Sequence, residues 1–291
     1  MVFGWNGLAG SYITRALQDE FELIRVSRSA DGSDHRIDAS DFKSVSKAIS
    51  DSKPDVVINA VKNNLSTDQC EIDKVGTWAA NVAVPENISR IQKEHGFRFI
   101  HLSTDWVYEG KEGEVYDESS IIYPQNFYSF SKAIAEERIR ALADDFLILR
   151  PTGIFGVDQR GANFFMRVKD AIGRNDPVNA PSDQFSQPIF AGELARLIRV
   201  GIMKKAKGTY NAVGADYISR YDLAIGFCEV FGWDRSLVHP VPSSDRAIRI
   251  PRFLHLNISR IDGEITKVKG IRSQIADLKC SMGNQGKDRR G

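Results

Sequence analysis

Short apolar runs alternate with amphipathic stretches through the first half of the chain. Strand-like runs occur at Phe21–Val26, Asp55–Asn59, Phe97–Leu102 and Phe146–Leu149, with a shorter Val2-Phe3 ahead of them. They lack strict polar–apolar alternation, as strands buried on both faces do. Between them the apolar spacing predicts helices over Ala9–Gln18, Phe42–Ser50, Trp78–Glu94 and Tyr128–Leu142. Such alternation predicts an α/β fold with a Rossmann-type doubly wound parallel sheet. After Arg150-Pro151 the texture changes. Gly, Pro and Asn become frequent through Pro188. Two further helices are predicted over Glu193–Met203 and Tyr221–Phe231, and Trp233–Arg252 reads as loop-rich. The expected organisation is a sheet domain over 1–150 and about 189–231, and a smaller C-terminal lobe over about 151–188 and 232–282. The polar, basic stretch 283–291 is expected to be a disordered tail.

Charge and composition narrow the partners. The 291 residues carry 39 basic and 38 acidic side chains, a formal net charge of +1. Such a chain has no global field for nucleic acid or an anionic membrane, so an anionic ligand must be held locally. Cys70, Cys228 and Cys280 are scattered, as are His35, His95, His101, His239 and His255. Neither set has metal-ligand spacing, so no metal is expected and the cysteines are expected to be reduced. No apolar run approaches the ~18 residues that a bilayer span needs. The first strand-like pair is short, as if the chain began part-way into a strand, and it leaves no room for a signal peptide. A cytoplasmic protein is the expectation.

Two local patterns point to chemistry. Gly4-Trp5-Asn6-Gly7-Leu8-Ala9-Gly10 is G-x-x-G-x-x-G between a strand and a helix. Glycines there let the backbone approach a pyrophosphate, and the helix N-terminus supplies amide donors. A glycine turn without a ligand has the same pattern. The next strand ends Arg25-Val26-Ser27-Arg28-Ser29, with no acid for a ribose 2′-hydroxyl. Ser27 and Arg28 suit a 2′-phosphate, hence NADP(H), with NAD(H) left open. An ordinary solvated basic loop is the competing reading.

The second pattern begins at a predicted strand end, His101-Leu102-Ser103-Thr104-Asp105-Trp106-Val107-Tyr108. Ligands of parallel sheets sit beyond the strand ends, which places Thr104 to bond a substrate carbonyl oxygen. Tyr128 and Lys132 are four residues apart, on one helix face. Reducing a ketone needs a hydride at carbon and a proton at oxygen. A nearby ammonium is expected to lower the tyrosine pKa from its usual value near 10. Tyr128 would donate the proton, Lys132 would tune it and hold a ribose, and Thr104 would stabilise the developing alkoxide. Y-x-x-x-K alone is also the spacing of a surface packing pair. The glycine loop and the Ser-Thr-Asp strand end favour chemistry.

These motifs resemble the extended short-chain dehydrogenase/reductases and, within them, the dTDP-4-dehydrorhamnose reductase family. The similarity also runs through Pro54–Ala60, Asp68-Gln69-Cys70-Glu71, Asn81, Glu109-Gly110, Tyr116 and Glu118. It continues through Pro124, Tyr128–Lys132, Glu136, Arg150–Gly156 and Asp183–Pro188. It implies NADPH-dependent reduction of a 4-keto sugar nucleotide, with Thr104, Tyr128 and Lys132 catalytic. It also implies cofactor contacts at Gly4, Asn6, Gly7, Leu8, Ser27, Arg28, Asn59, Ala60, Val61, Tyr128 and Lys132, with Asp38 toward the adenine. Substrate contacts would come from Ser103, Thr104, Asp105, Val107, Gly153, Asn163, Gln184 and Arg252. A homodimer is compatible with the resemblance. The chain departs from the family at Gly153, where rhamnose-forming members usually carry tryptophan, and at Ser129, usually glycine. Two rivals share the fold. One is a non-catalytic NADP-binding regulatory subunit resembling the methionine adenosyltransferase β subunit; the other is a sugar-nucleotide epimerase or dehydratase that would hold NAD tightly.

Overall fold

The computed structural model describes residues 1–29, 31–63, 65–158, 161, 163–243 and 248–285. In chain order the first half contains β1 (Val2–Phe3), α1 (Leu8–Leu17), β2 (Arg25–Ser27), β3 (His35–Arg36), α2 (Phe42–Ser52) and β4 (Val56–Asn59). There follow α3 (Thr67–Ile72), α4 (Lys74–Trp78), α5 (Val84–His95), β5 (Arg98–Leu102), β6 (Val115–Tyr116), α6 (Phe127–Leu142) and β7 (Phe146–Arg150). The second half has α7 (Phe164–Gly173), β8 (Val178–Pro181), β9 (Phe185–Ser186), α8 (Ala191–Met203), β10 (Gly208–Asn211), β11 (Ile218–Ser219) and α9 (Arg220–Phe231). It ends with β12 (Val238–Val241), β13 (His255–Leu256), α10 (Ser259–Glu264) and α11 (Ile271–Gln285).

Seven strands form one sheet in the order β10-β7-β5-β4-β1-β2-β3, and every pairing in it is parallel. The predicted doubly wound sheet is therefore present. The order reverses between β1 and β4, where such sheets open a crevice at their carboxyl edge. Phe3 pairs with Asn59 and Asn59 with His101, so the glycine loop and the Ser-Thr-Asp segment leave the sheet on the same edge. Apolar layers cover both faces. One joins Ile13, Leu17, Leu149, Leu194 and Ile198; the other joins Val45, Ile88, Phe99 and Ile139.

Three departures from the predicted elements have local causes. β3 and β10 are short and polar, so neither makes an apolar run. The helix expected over Trp78–Glu94 starts earlier, at Lys74, and passes through a π-turn at Ala79–Ala83 before α5. Pro85 in the first turn of α5 has no N–H to continue the α ladder, and the π-turn absorbs the mismatch. α11 runs to Gln285, so the expected tail is helical at its start; 286–291 lie outside the described residues. Three further two-stranded sheets pair β8 with β12, β9 with β11 and β6 with β13. Among the described residues no helix is long and apolar enough to cross a membrane.

α8 packs along α1, and its Leu194 is fully buried in the core they share. Leu194→Ala is expected to cost about 2–5 kcal/mol. The loss should appear as a lower urea midpoint with an unchanged slope; a wild-type midpoint would remove α8 from the core.

Candidate active site

The loop after β1 is shaped by contact. Gly4 has φ +74°, and a Cβ there would lie 2.8 Å from the Ala60 carbonyl oxygen and 2.9 Å from the Val61 nitrogen. Only glycine lets this turn close on the end of β4. Gly7 caps α1, whose first turn carries no acid to compete for an anion. Asn6 is exposed and Leu8 half-buried. Trp5 braces the loop from the side, donating its indole N–H to Ser33 at 2.9 Å, and Ser33 in turn meets the Ser27 hydroxyl at 2.9 Å. Arg28 is exposed beyond Ser27, and its charge reaches Asp38. The Asp38 carboxyl is held below its ordinary range, chiefly by hydrogen bonds from Ser40 and then by Arg28. Ser27, Arg28 and Asp38 therefore share one corner of the crevice.

Asn59 behaves differently from its expected role. Its side chain is buried, accepts from the Val61 backbone at 3.0 Å and faces His101 Nδ1 at 3.1 Å. It shapes the Ala60-Val61 backbone from below. His101 is fully buried, which keeps its imidazole well below its usual pKa and therefore neutral.

Thr104 and Tyr128 come together at the end of β5, close enough for the Thr104 hydroxyl to act on the phenol's pKa. Trp106 packs edge-on against the Tyr128 ring, with centroids 6.0 Å apart. Asn126 caps α6 through Ser129, and Glu71 accepts the Phe127 N–H, so the first turn carrying Tyr128 is held from two sides. Lys132 Nζ donates to the Leu102 carbonyl at 2.7 Å. The expected lowering of the tyrosine pKa is not found. Burial pushes the Tyr128 phenol up to about 12, outweighing the Thr104 hydrogen bond. Burial also brings the Lys132 ammonium down to about 8.

Ser103 and Val107 do not face the crevice. Ser103 Oγ donates inward to Glu136 at 2.6 Å. Val107 is fully buried among Tyr108, Tyr116 and Leu254, behind Thr104. Asp105 is also buried and contacts Thr104 Oγ1 at 3.2 Å. Asn163 caps α7 and ties back to Gly156, so its side chain is engaged in local structure. Gln184 is half-buried, while Arg252 approaches Asp183 at 3.5 Å. Gly153 is exposed with φ +48°, and a Cβ would meet Pro188 at 3.3 Å. That left-handed backbone disfavours any larger side chain, including tryptophan.

Sequence reasoning left unassigned a buried network behind these groups. Glu136 pairs with Arg150 through two bonds of 2.6 and 2.9 Å. Arg150 also reaches the Tyr108 hydroxyl, which lies 2.9 Å from both the Asn211 amide oxygen and the Asp117 carbonyl. Its signal was present: an arginine ending an otherwise apolar strand. An open depression of about 580 Å³ lies beyond Arg150, and its lining does not include Thr104, Tyr128 or Lys132.

Residues 1–278 match the RmlD substrate binding domain. The chain belongs to that family. It is 27% identical over 276 residues to the probable low-salt glycan biosynthesis reductase Agl14 of Haloferax volcanii, covering 91% of each chain. It is 27% identical over 233 residues to the dTDP-4-dehydrorhamnose reductase of Aggregatibacter actinomycetemcomitans, covering 77% of this chain and 76% of that one. Its fold matches the Bacillus anthracis dTDP-4-dehydrorhamnose reductase, solved in complex with NADP, at a TM-score of 0.84 and 20% identity. That match covers 96% of this chain and 98% of the other.

Asp105 carries a pH signature. Burial raises its carboxyl to about 7 from 3.8. Between those values the folded chain keeps a proton that the unfolded chain has released, so this group makes stability fall as pH rises. Relative to Asp105→Asn, the wild type should lose on the order of 1–4 kcal/mol between pH 4 and pH 8. Paired urea titrations read this directly; a constant difference would mean that Asp105 ionises normally.

Proposed function

We propose that this member of the RmlD family is an NADPH-dependent reductase of a 4-keto sugar nucleotide. One observation carries the reading: the Thr104–Tyr128 hydroxyl pair lies on the sheet edge that also carries the glycine cradle. The names of the relatives support the substrate class, and the NADP of the Bacillus anthracis structure supports the cofactor.

The cradle fits a dinucleotide. Gly4 removes the side chain that would fill the turn, and the first turn of α1 holds no acid. Ser27 and Arg28 would hold the 2′-phosphate, and the Ala60-Val61 backbone would flank the groove. NADPH, when bound, supplies the hydride. Tyr128 supplies the proton, and its elevated pKa keeps that proton in place at neutral pH until an alkoxide-like oxygen develops. Thr104 steadies the same oxygen. Lys132, pinned to Leu102, would present its remaining donors to a ribose. Arg252 and the Asp183–Pro188 loop would face the nucleotide diphosphate and sugar. Gly153 takes the place of the tryptophan usual in rhamnose-forming members, which favours a sugar other than the one they reduce.

The deciding assay is NADPH oxidation with a panel of 4-keto sugar nucleotides, dTDP-linked ones first. Turnover on one member, cut by about 10²-fold or more in Tyr128→Phe with NADPH binding intact, is the expected result. Near wild-type rates in that variant would remove Tyr128 from the chemistry. Calorimetric NADPH binding with no turnover on any member would instead favour a regulatory, partner-binding protein.

Cofactor choice gives a separate check. Arg28→Ala should weaken NADPH by roughly tenfold or more while sparing NADH, the scale of a lost charge-assisted contact. An unchanged preference would take Arg28 out of the site.

A further inference from the structure

Directly behind Thr104, Tyr128 and Lys132 lies a charge cluster that the proposed chemistry does not use. The Glu136 side chain has no exposed surface, and that of Arg150 is 1% exposed. Four donors converge on the Glu136 carboxylate. Oε1 accepts Ser103 Oγ at 2.6 Å and Arg150 Nε at 2.9 Å; Oε2 accepts Arg150 Nη2 at 2.6 Å and Arg140 Nη2 at 2.7 Å. Hydrogen bonds from every side keep this carboxylate ionised despite its burial.

The placement of the cluster is what matters. Ser103 sits between Leu102, whose carbonyl holds Lys132, and Thr104, whose hydroxyl acts on the Tyr128 phenol. Glu136 is one turn beyond Lys132 on α6. Two successive turns of α6 are thus pinned to two successive residues at the end of β5. A buried ion pair is a weak device for stability alone, because well-packed apolar side chains often do as well.

We propose that Glu136 is a positioning residue: it fixes Leu102–Thr104 against α6, and its negative charge holds Lys132 as an ammonium ion. Arg150 is its counter-ion. The consequence for turnover rests on the reductase reading, whereas the charge on Lys132 can be measured without any substrate.

The groups acting on Lys132 come from three elements. Glu136 on α6 favours the charged form, Lys62 after β4 opposes it, and His101 on β5 is neutral. In Glu136→Gln the anion is lost while the Arg150 and Arg140 cations remain. Lys132 then faces burial and net positive charge together, and it gives up its proton at a lower pH.

The test is a ¹³C NMR titration of full-length protein carrying ¹³Cε-lysine, with the Lys132 signal assigned by its loss in Lys132→Arg. In Glu136→Gln the Lys132 midpoint should fall by about one pH unit or more. Glu136→Asp and Ser103→Ala should keep the wild-type midpoint. Glu136→Gln combined with Arg150→Met removes the stranded cation, so it keeps the experiment decisive if the single variant does not fold. Its midpoint should lie between those of wild type and Glu136→Gln, or below wild type where only the double variant folds. A wild-type midpoint in either folded Gln variant overturns the proposal. In the reductase assay, Ser103→Ala should lower kcat by roughly tenfold, the scale of a small misplacement, without moving the pH profile. Glu136→Gln should move the alkaline limb to lower pH. Unchanged kcat in Ser103→Ala overturns the positioning role. Absence of turnover in the wild type would count against the reductase reading alone, since the NMR midpoints still decide the charge on Lys132.

Discussion

The Glu136–Arg150 pair is the contact on which the active edge of the sheet depends. Two charges buried side by side are held only when their geometry is good and every remaining donor finds an acceptor. Here Ser103, Arg140 and Tyr108 complete the set, and Asn211 extends it to β10. Asn211 then donates from its side chain to the Tyr116 and Asn257 carbonyls, and its backbone N–H donates to the Glu118 carboxylate. One chain of polar contacts therefore joins β5, β7, β10, α6 and the segments after β5 and β13. Removing one partner of such a pair strands a buried charge, at a cost of about 3–5 kcal/mol. The arrangement of the strand ends is thus coupled to the integrity of the core beneath them.

Desolvation gives the site its second character. Tyr128 is raised, Asp105 is raised and Lys132 is lowered, each mainly by burial. All three move toward their neutral forms. In the proposed reaction a developing oxyanion would meet hydroxyl dipoles already in place. Against that burial, the Leu102 carbonyl accepts from the Lys132 ammonium and, in our proposal, the Glu136 charge favours its protonated form. Asn126 donates to the Arg249 carbonyl at 2.9 Å, which ties the segment before β13 to the helix that carries Tyr128.

Much of the fold could be read along the chain because its signals are local. The five strand-like segments that were recognised are all in the central sheet, and the six predicted helices are present with shifted ends. β3 and β10 escaped because two to four polar residues at a sheet margin leave no periodicity. The π-turn escaped because it depends on how Pro85 meets the preceding ladder. Thr104 and Tyr128 were legible from strand-end and helix patterns. Ser103, Val107 and Asn163 were legible as neighbours of a site, but the direction of a side chain depends on backbone twist and on the partner it finds.

The sequence by itself determined the α/β class, the glycine turn at the head of the sheet and the hydroxyl, phenol and ammonium groups near its edge. Those features follow from spacing along the backbone, which sets helix faces and strand ends. The tertiary structure alone decided that Asn59 braces His101, that Ser103 turns inward to Glu136, and that Lys132 binds Leu102. It also decided that the Tyr128 phenol is raised rather than lowered. The physical reason is that a pKa and a hydrogen-bond partner belong to the whole three-dimensional environment of a group: how much water is removed from it and which charges, distant in sequence, are brought against it.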